Sequence, residues 1–379
     1  VSGDALAGAV VVTPVYGIPE VQPGDDLAEL IATHAPHLAD GDIVVVSSKI
    51  VSKSEGRVVE GTDRAAAVRS ETVRVVAERG TTQIVQTRHG FVMAAGGVDA
   101  SNVAPGRLLL LPIDSDHSAR EIRRGLTERL GVHVGVIVTD TFGRPWRLGQ
   151  TDLAIGAAGV RVLEEHRGRT DAHGNELVVT APAHADEVAG AAELVKGKVA
   201  QVPVAVVRGL RTLVTAEDGP GVRALVRSAE DDMFRLGARE ARREALRLSR
   251  DARELADAPT DVDLVRRALD SVPDRAGSRW GLVEVEEAQL RKPILDAVGL
   301  PSSVPYVAVA YLGAGAFAEQ AAALLELGGA RDRLVLSCAV EGLASRWLPA
   351  SRVDVTAVGS AVPEDAEVVG LLAIGASAS

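Results

Sequence analysis

The stretch "VHVGVIVTD", residues 132–140, decides the fold class. Its four valines and one isoleucine make a β-branched run too short for a core helix, and apolar enough to be covered on both faces as a strand. The next residues, "TFGRPWRLGQTD" (141–152), turn abruptly to threonine, arginine, glutamine and aspartate. Asp140 and Thr141 are therefore expected where a strand opens into a loop. Carboxylates at the carboxyl ends of strands in α/β proteins commonly line ligand sites. Outward from this run, "DIVVVSS" (42–48), "RLLLLPI" (107–113), "ELVVTA" (176–181) and "VPVAVVRG" (202–209) read as further strands. Between them lie the amphipathic segments "DLAELIATHA", "HSAREIRRGLTERLG" and "HADEVAGAAELVKG". In the second, Ile122, Leu126 and Leu130 recur every four residues among charges, which predicts a helix closed by Gly131. Strands alternating with helices make the class α/β.

A chain of 379 residues is long enough for two or three domains with a substantial core. Aromatic residues are 3% of it, so the core must rest on Val, Leu, Ala and Ile. Asp and Glu total 52 against 41 Lys and Arg, a formal charge of −11, which argues against generic binding to nucleic acid or an anionic membrane. The one cysteine, Cys338 in "LVLSCAVEGL", excludes an intrachain disulfide and a cysteine-cluster metal site, and reads as a buried structural thiol. The opening "VSGDALAGAVVV" lacks the basic and long apolar regions of a signal peptide. No run reaches the ~18 apolar residues of a transmembrane candidate. A cytoplasmic protein without a membrane partner is the expectation.

Four polar stretches carry the chemistry, since no phosphate loop of the G-x-x-x-x-G-K type, no H-E-x-x-H pair and no nucleophile elbow is present. "GIPEVQPGDDL" (17–27) is a Gly/Pro turn with Glu20, leading into a helix capped by Asp25 or Asp26. "SSKIVSKSEGR" (47–57) follows a strand; its Lys49 and Lys53 suit phosphate, or the segment is a solvated turn. "GGVDASNV" (96–103) places Asp99 and Asn102 after a glycine pair, as a ligand set or as an Asx-turn. The fourth is the stretch around Asp140. Two carboxylates, a threonine and lysines together suit Mg²⁺ or Mn²⁺ bridging nucleotide phosphates, because hard cations take oxygen ligands.

These stretches, with "AAGGVDASNV", "VTDTFGRPWRLGQTDLAIGAAG", "DAHGNELVVT" and "ELVKGKVAQVPVAVVRG", make residues from about 10 to 245 resemble the coenzyme F420-0:L-glutamate ligase family. The form resembled most is the actinobacterial one, in which the ligase is fused to a C-terminal nitroreductase-like domain. The resemblance implies GTP-dependent ligation of L-glutamate to coenzyme F420-0, with further γ-glutamates as an extension, through an acyl phosphate. It implies a homodimer and two divalent ions per site, Mg²⁺ or Mn²⁺, with K⁺ as an additional candidate. By motif, Ile18, Pro19, Glu20 and Val21 would line the GTP site with Ser48, Lys53 and Asn102. Asp99, Asp140 and Thr141 would be the metal ligands, Asp99 and Asp140 being the catalytic pair. Arg144 and Arg147 are candidate phosphate or substrate contacts. Archaeal members tend to carry an acidic or amide residue where this chain has Lys198, and a protonated lysine cannot ligate a cation.

Residues 229–258 form a charged stretch expected to be helical, ending in "APTD", and mark a junction between domains 1–245 and 246–379. Beyond it the pattern is helix, strand "GLVEVEE", helix, strand "YVAVAYL", two Ala/Leu-rich helices and a last strand "EVVGLLAIG". This part is expected to be a smaller, shortened α+β domain of nitroreductase-like character. In "LSRDARELADAPTD", Asp251, Glu254, Asp257 and Asp261 stand where a flavin phosphate would need positive charge, so FMN is expected not to bind well. The alternatives are a bifunctional ligase with an FMN-dependent reductase domain and a non-catalytic deazaflavin-binding protein.

Overall fold

The computed structural model describes residues 8–61, 63–250, 255–270, 279–285, 288–313, 315, 317–352, 362–363 and 365–377. The expectations for "VSGDALA" and for Asp251 and Glu254 fall outside the described residues. The chain divides into two compact units, Val1–Gly237 and Ala238–Ser379.

In the first unit the elements run β1 (Val11–Val15), α1 (Leu27–His34), β2 (Ile43–Ser47), α2 (Ser48–Ser54), β3 (Val58–Glu60), α3 (Arg64–Glu71), β4 (Thr72–Arg79), β5 (Thr82–Thr87), β6 (Val92–Ala94) and β7 (Arg107–Leu109). They continue with α4 (Ser115–Leu130), β8 (Gly135–Gly143), β9 (Gln150–Ala158), α5 (His184–Lys196) and β10 (Val204–Arg208). The main sheet has the order β1-β10-β2-β8-β9. Its β2–β8 pair is parallel and the other three pairs are antiparallel.

Side-chain alternation along β2 and β8 explains why both faces are covered. Val44, Val46, Val136 and Val138 pack with Ile31 of α1 and Ile122 and Leu126 of α4. Ile43, Val45 and Ile137, one position out of phase, pack with Ala185, Val188 and Ala192 of α5. Each such fully buried aliphatic side chain stabilises the fold by about 1.5–3 kcal/mol. Helix α4 is capped by Asp114, which accepts from the His117 N–H at 2.9 Å, and ends at Gly131 with φ 68°, as its periodicity predicts.

The outer strand β9 does not leave its free edge bare. The Ala154 N–H donates to Asp186 of α5 at 3.0 Å, and the Ala157 N–H to Asp116 of α4 at 2.8 Å. Carboxylates from the flanking helices thus satisfy the ladder groups that would otherwise invite another strand. At the opposite edge, β1 carries Pro14, tolerated there because β1 pairs with β10 alone in its sheet.

Several expectations change. Strand β8 does not end at Asp140: it runs through Gly143 and forms a hairpin with β9, so Asp140 and Thr141 lie inside a ladder, opposite Leu153 and Asp152. The polar residues after Val138 pair because β9 supplies a partner strand. Residues 47–57 are not a loop but mainly helix α2, whose first turn is capped by Ser47. The strand expected at 176–181 is absent: Glu176 makes an isolated bridge to Thr170, and Val178 and Val179 are exposed. An apolar run without a partner and a packing surface makes no ladder. The strand expected at 107–113 shortens to β7, because its partner β3 offers only Val58–Glu60 for pairing.

The second unit contains α6 (Ala238–Arg250), α7 (Val262–Leu269), β11 (Trp280–Glu284), α8 (Ala288–Ala297), β12 (Tyr306–Leu312), α9 (Phe317–Val340), β13 (Leu343–Pro349) and β14 (Glu367–Ala376). Its sheet, β11-β12-β14-β13, is antiparallel throughout, which makes the unit α+β. The two Ala/Leu-rich helices are one helix, α9. Ala323, Leu327, Ala330, Leu334 and Cys338 form a continuous buried stripe across Gly328 and Gly329, and packing of that stripe overrides the helix-weakening glycines. Cys338 is fully buried and burial pushes its thiol up to about 12, in keeping with a structural role. Among the described residues no helix is long and apolar enough to cross a membrane.

Candidate active site

A cleft of about 540 Å³ opens beside the strand ends of β2 and β8, between the Ile18–Val21 turn, α2, the 102–104 segment and the end of α5. Helix α2 shapes one wall. Lys49 and Lys53, four residues apart, project from the same side of its turns. Lys53 Nζ donates to Glu20 Oε1 at 2.6 Å, and Lys49 Nζ donates to Asp99 Oδ2 at 2.5 Å. Asp99 also accepts from the Ser101 N–H at 2.8 Å and the Ser101 hydroxyl at 2.7 Å, so it forms an Asx-turn and an ion pair at once. Burial alone would raise the Asp99 pKa; the Lys49 and Ser101 hydrogen bonds outweigh it and pull the carboxyl down to about 2.

The β8–β9 hairpin supplies the floor. Thr139 and Thr141, two residues apart, turn to the same side and donate to the two oxygens of Asp152, at 2.8 and 2.9 Å. Asp140, between them, accepts instead from the buried hydroxyl of Ser48 at 3.1 Å. Burial raises the Asp140 carboxyl above the ordinary carboxylate range, against the opposing pull of Lys49. Lys49 resists its own burial: the charges of Asp140, Asp99 and Asp152 hold its ammonium above the usual lysine value.

Beneath the floor sits a buried ion pair. Lys196, in the last turn of α5, donates to Asp152 Oδ2 at 2.9 Å and to the Thr139 hydroxyl at 2.7 Å. It lies 3.7 Å from Glu193, whose carboxyl is raised by burial and by the Asp152 charge. Against burial, Lys196 and the two threonines hold Asp152 below the ordinary range. Removing one partner of such a pair typically costs about 3–5 kcal/mol, because the other is left charged and dry. Lys198 stands at the rim and donates to the Thr141 hydroxyl at 3.4 Å.

Ile18, Pro19, Glu20, Val21, Lys53, Asn102, Asp140 and Thr141 all line this one cleft. Ser48 and Asp99 stand just behind its surface, joined to it through Asp140 and Lys49. Arg144 and Arg147 do not line it; they belong to the exposed hairpin tip, where Arg144 reaches the Leu148 carbonyl at 3.3 Å. Thr139, Asp152, Glu193 and Lys196 were not singled out from sequence. The available signal was "TDLAIGAA" read as a returning strand, which would have set Asp152 across from Thr141.

Asp99, Asp140 and Thr141 offer a divalent cation oxygen ligands of the right kind, and a cation beside Asp140 would offset the cost of its burial. Among the described residues no three His, Cys, Asp or Glu side chains form a metal cluster, so protein ligands would leave much of the shell to water or phosphate oxygens.

The family model for F420-0:Gamma-glutamyl ligase matches residues 17–209. The coenzyme F420:L-glutamate ligase of Methanopyrus kandleri is 42% identical over 237 residues, which cover 57% of this chain and 94% of that one. That of Archaeoglobus fulgidus is 40% identical over 245 residues, 60% of this chain and 96% of its own. Among solved structures, NfrA2 of B. megaterium aligns at 13% identity and TM-score 0.30 over 36% of this chain and 67% of its own. Nitroreductase A of Vibrio parahaemolyticus aligns at 12% identity and TM-score 0.31 over 37% and 69%. With a family model spanning all of the cleft-forming elements from the Ile18 turn to β10, the chain belongs to the F420-0:gamma-glutamyl ligase family.

Proposed function

We propose that the chain ligates L-glutamate to coenzyme F420-0 at the expense of GTP, with Mg²⁺ or Mn²⁺ accompanying the nucleotide, and that it works as a homodimer. The observation that carries this reading is the convergence of Asp140, Thr141, Lys49 and Lys53 on a single cleft in a member of this family. The charge count supports a cation requirement. Lysines 49, 53, 196 and 198 are matched by Glu20, Asp140, Asp152 and Glu193, with Asp99 in addition, so the cleft has no positive surplus for a triphosphate.

In the first step a carboxylate oxygen of F420-0 attacks the γ-phosphorus of GTP. The bond to the β,γ-bridging oxygen breaks, leaving GDP and an acyl phosphate. The glutamate amine then attacks the acyl carbon, phosphate leaves, and the amine gives up a proton to complete the amide. Further γ-linked additions would repeat the same cycle. Lys49 and Lys53 neutralise phosphate oxygens, while the cleft orients acceptor and donor in line. A bound divalent ion supplies charge stabilisation at the transferring phosphoryl group.

Incubation of the chain with F420-0, L-glutamate, GTP and Mn²⁺ should yield GDP, phosphate and F420-0 heavier by one glutamyl residue or more, read by mass spectrometry. Absence of any glutamate-dependent product under these conditions overturns the proposal; equal turnover with ATP overturns its nucleotide.

A further inference from the structure

The lysines around the cleft are not equivalent. Lys49, Lys53 and Lys196 each hold a carboxylate, of Asp99, Glu20 and Asp152 respectively. Lys198 forms no ion pair among the described residues; its ammonium donates instead to the Thr141 hydroxyl at 3.4 Å. That hydroxyl has a single proton, given to Asp152 Oδ1 at 2.9 Å, so its lone pairs are what Lys198 meets. A cation bound to the same oxygen at ~2.1 Å would lie within roughly 6 Å of the ammonium and be repelled by it. Asp152 offers such a cation little, since both its oxygens already serve Lys196 and the two threonines. The other end of the cleft differs, with Asp99 and Asp140 presenting two carboxylates to the one lysine head of Lys49.

Resting on the GTP reading above, we propose that Lys198 supplies the positive charge at the Thr141 end, donating to a phosphate oxyanion of the nucleotide. It stands where a second divalent ion would otherwise be required, so each nucleotide binds with one divalent ion, held at Asp99 and Asp140. The resemblance drawn from sequence implies two ions with Thr141 among their ligands; this chain carries one of those charges covalently.

The test is Mn²⁺ stoichiometry by electron paramagnetic resonance on the full chain with a non-hydrolysable GTP analogue. One Mn²⁺ per chain is expected, rising to two in Lys198→Glu, where a carboxylate replaces the ammonium. Lys198→Gln should weaken the analogue at least about tenfold without changing the KM for L-glutamate, and Lys198→Arg should restore analogue affinity. Lys198 is exposed, so the variants are expected to melt with the native chain. Two Mn²⁺ in the native complex, or unchanged analogue affinity in Lys198→Gln, overturns this proposal alone. A loss confined to L-glutamate also overturns it, assigning Lys198 to a carboxylate. Failure of the native chain to bind the analogue at all overturns the GTP reading and this inference with it.

Discussion

Asp140 is the residue on which the site turns. Its carboxyl is raised by burial, accepts from Ser48, and shares Lys49 with Asp99. Asp140→Asn preserves the shape but removes the charge, and losing ~3 kcal/mol of charge stabilisation corresponds to about a hundredfold fall in kcat. The melting temperature should hold, because a buried carboxylate is replaced by a neutral isostere. Near-native kcat at saturating Mn²⁺ would sink the assignment. Lys53 makes a different contribution. Its side chain is buried, and its ammonium meets the exposed Glu20. Lys53→Ala should weaken GTP about tenfold or more while leaving F420-0 affinity nearly unchanged, measured by calorimetry. Equal losses for both ligands would return Lys53 to a structural role in holding the Glu20 turn.

Among the elements, the join between α4 and β9 supports the hairpin that bears the site. Asp116 Oδ1 receives the Ala157 and Val222 N–H groups, both at 2.8 Å, so one carboxylate ties helix, edge strand and the 222–225 turn together. Asp116→Ala leaves two buried donors unpaired and should cost about 2–4 kcal/mol in urea unfolding. A loss below half a kilocalorie would mean that water replaces the carboxylate there. At the start of α5, His184 contacts Glu164 and Glu187, each at 3.1 Å. Burial works to lower its pKa, but those two glutamates prevail and raise it above 6.5. The folded value exceeds the unfolded one, so this stabilisation is complete below about pH 6.5 and fades as pH rises through the folded pKa. The stability gap between the native chain and His184→Gln should therefore narrow from pH 6 to pH 9. A gap independent of pH would show that the imidazole is held by packing alone.

For the whole molecule, the two units have separate sheets and separate cores. In the second unit Asp261 caps α7, its carboxylate accepting from the Asp263 N–H at 2.9 Å. An anion approaching this helix start meets a carboxylate instead. With Asp257 nearby in sequence, the region offers a flavin phosphate little attraction, and the purified chain is expected to carry no stoichiometric FMN. Flavin absorbance at one equivalent, or micromolar affinity by fluorescence quenching, would restore a reductase function to this unit.

Local pattern alone determined the class, the strands at 43–47 and 204–208, the α4 helix with its closing Gly131, and the prominence of Asp140, Thr141, Asp99 and Lys53. Each is legible because a period of two or 3.6, or a cap residue, is written within a few neighbouring positions. The register of β9 against β8 is not written that way. It depends on which distant segment finds an uncovered edge, and it alone sets Asp152 under Thr139 and Thr141, within reach of a lysine at the end of α5. Helix α2 was hidden for a related reason: its seven residues are too few to show a period, and they become helical by packing Ile50 and Val51 into a core assembled from other elements. Sequence named the chemical groups; only tertiary packing, by burying Lys196 against Asp152 and leaving Lys198 at the rim without an ion pair among the described residues, decided how each charge is partnered.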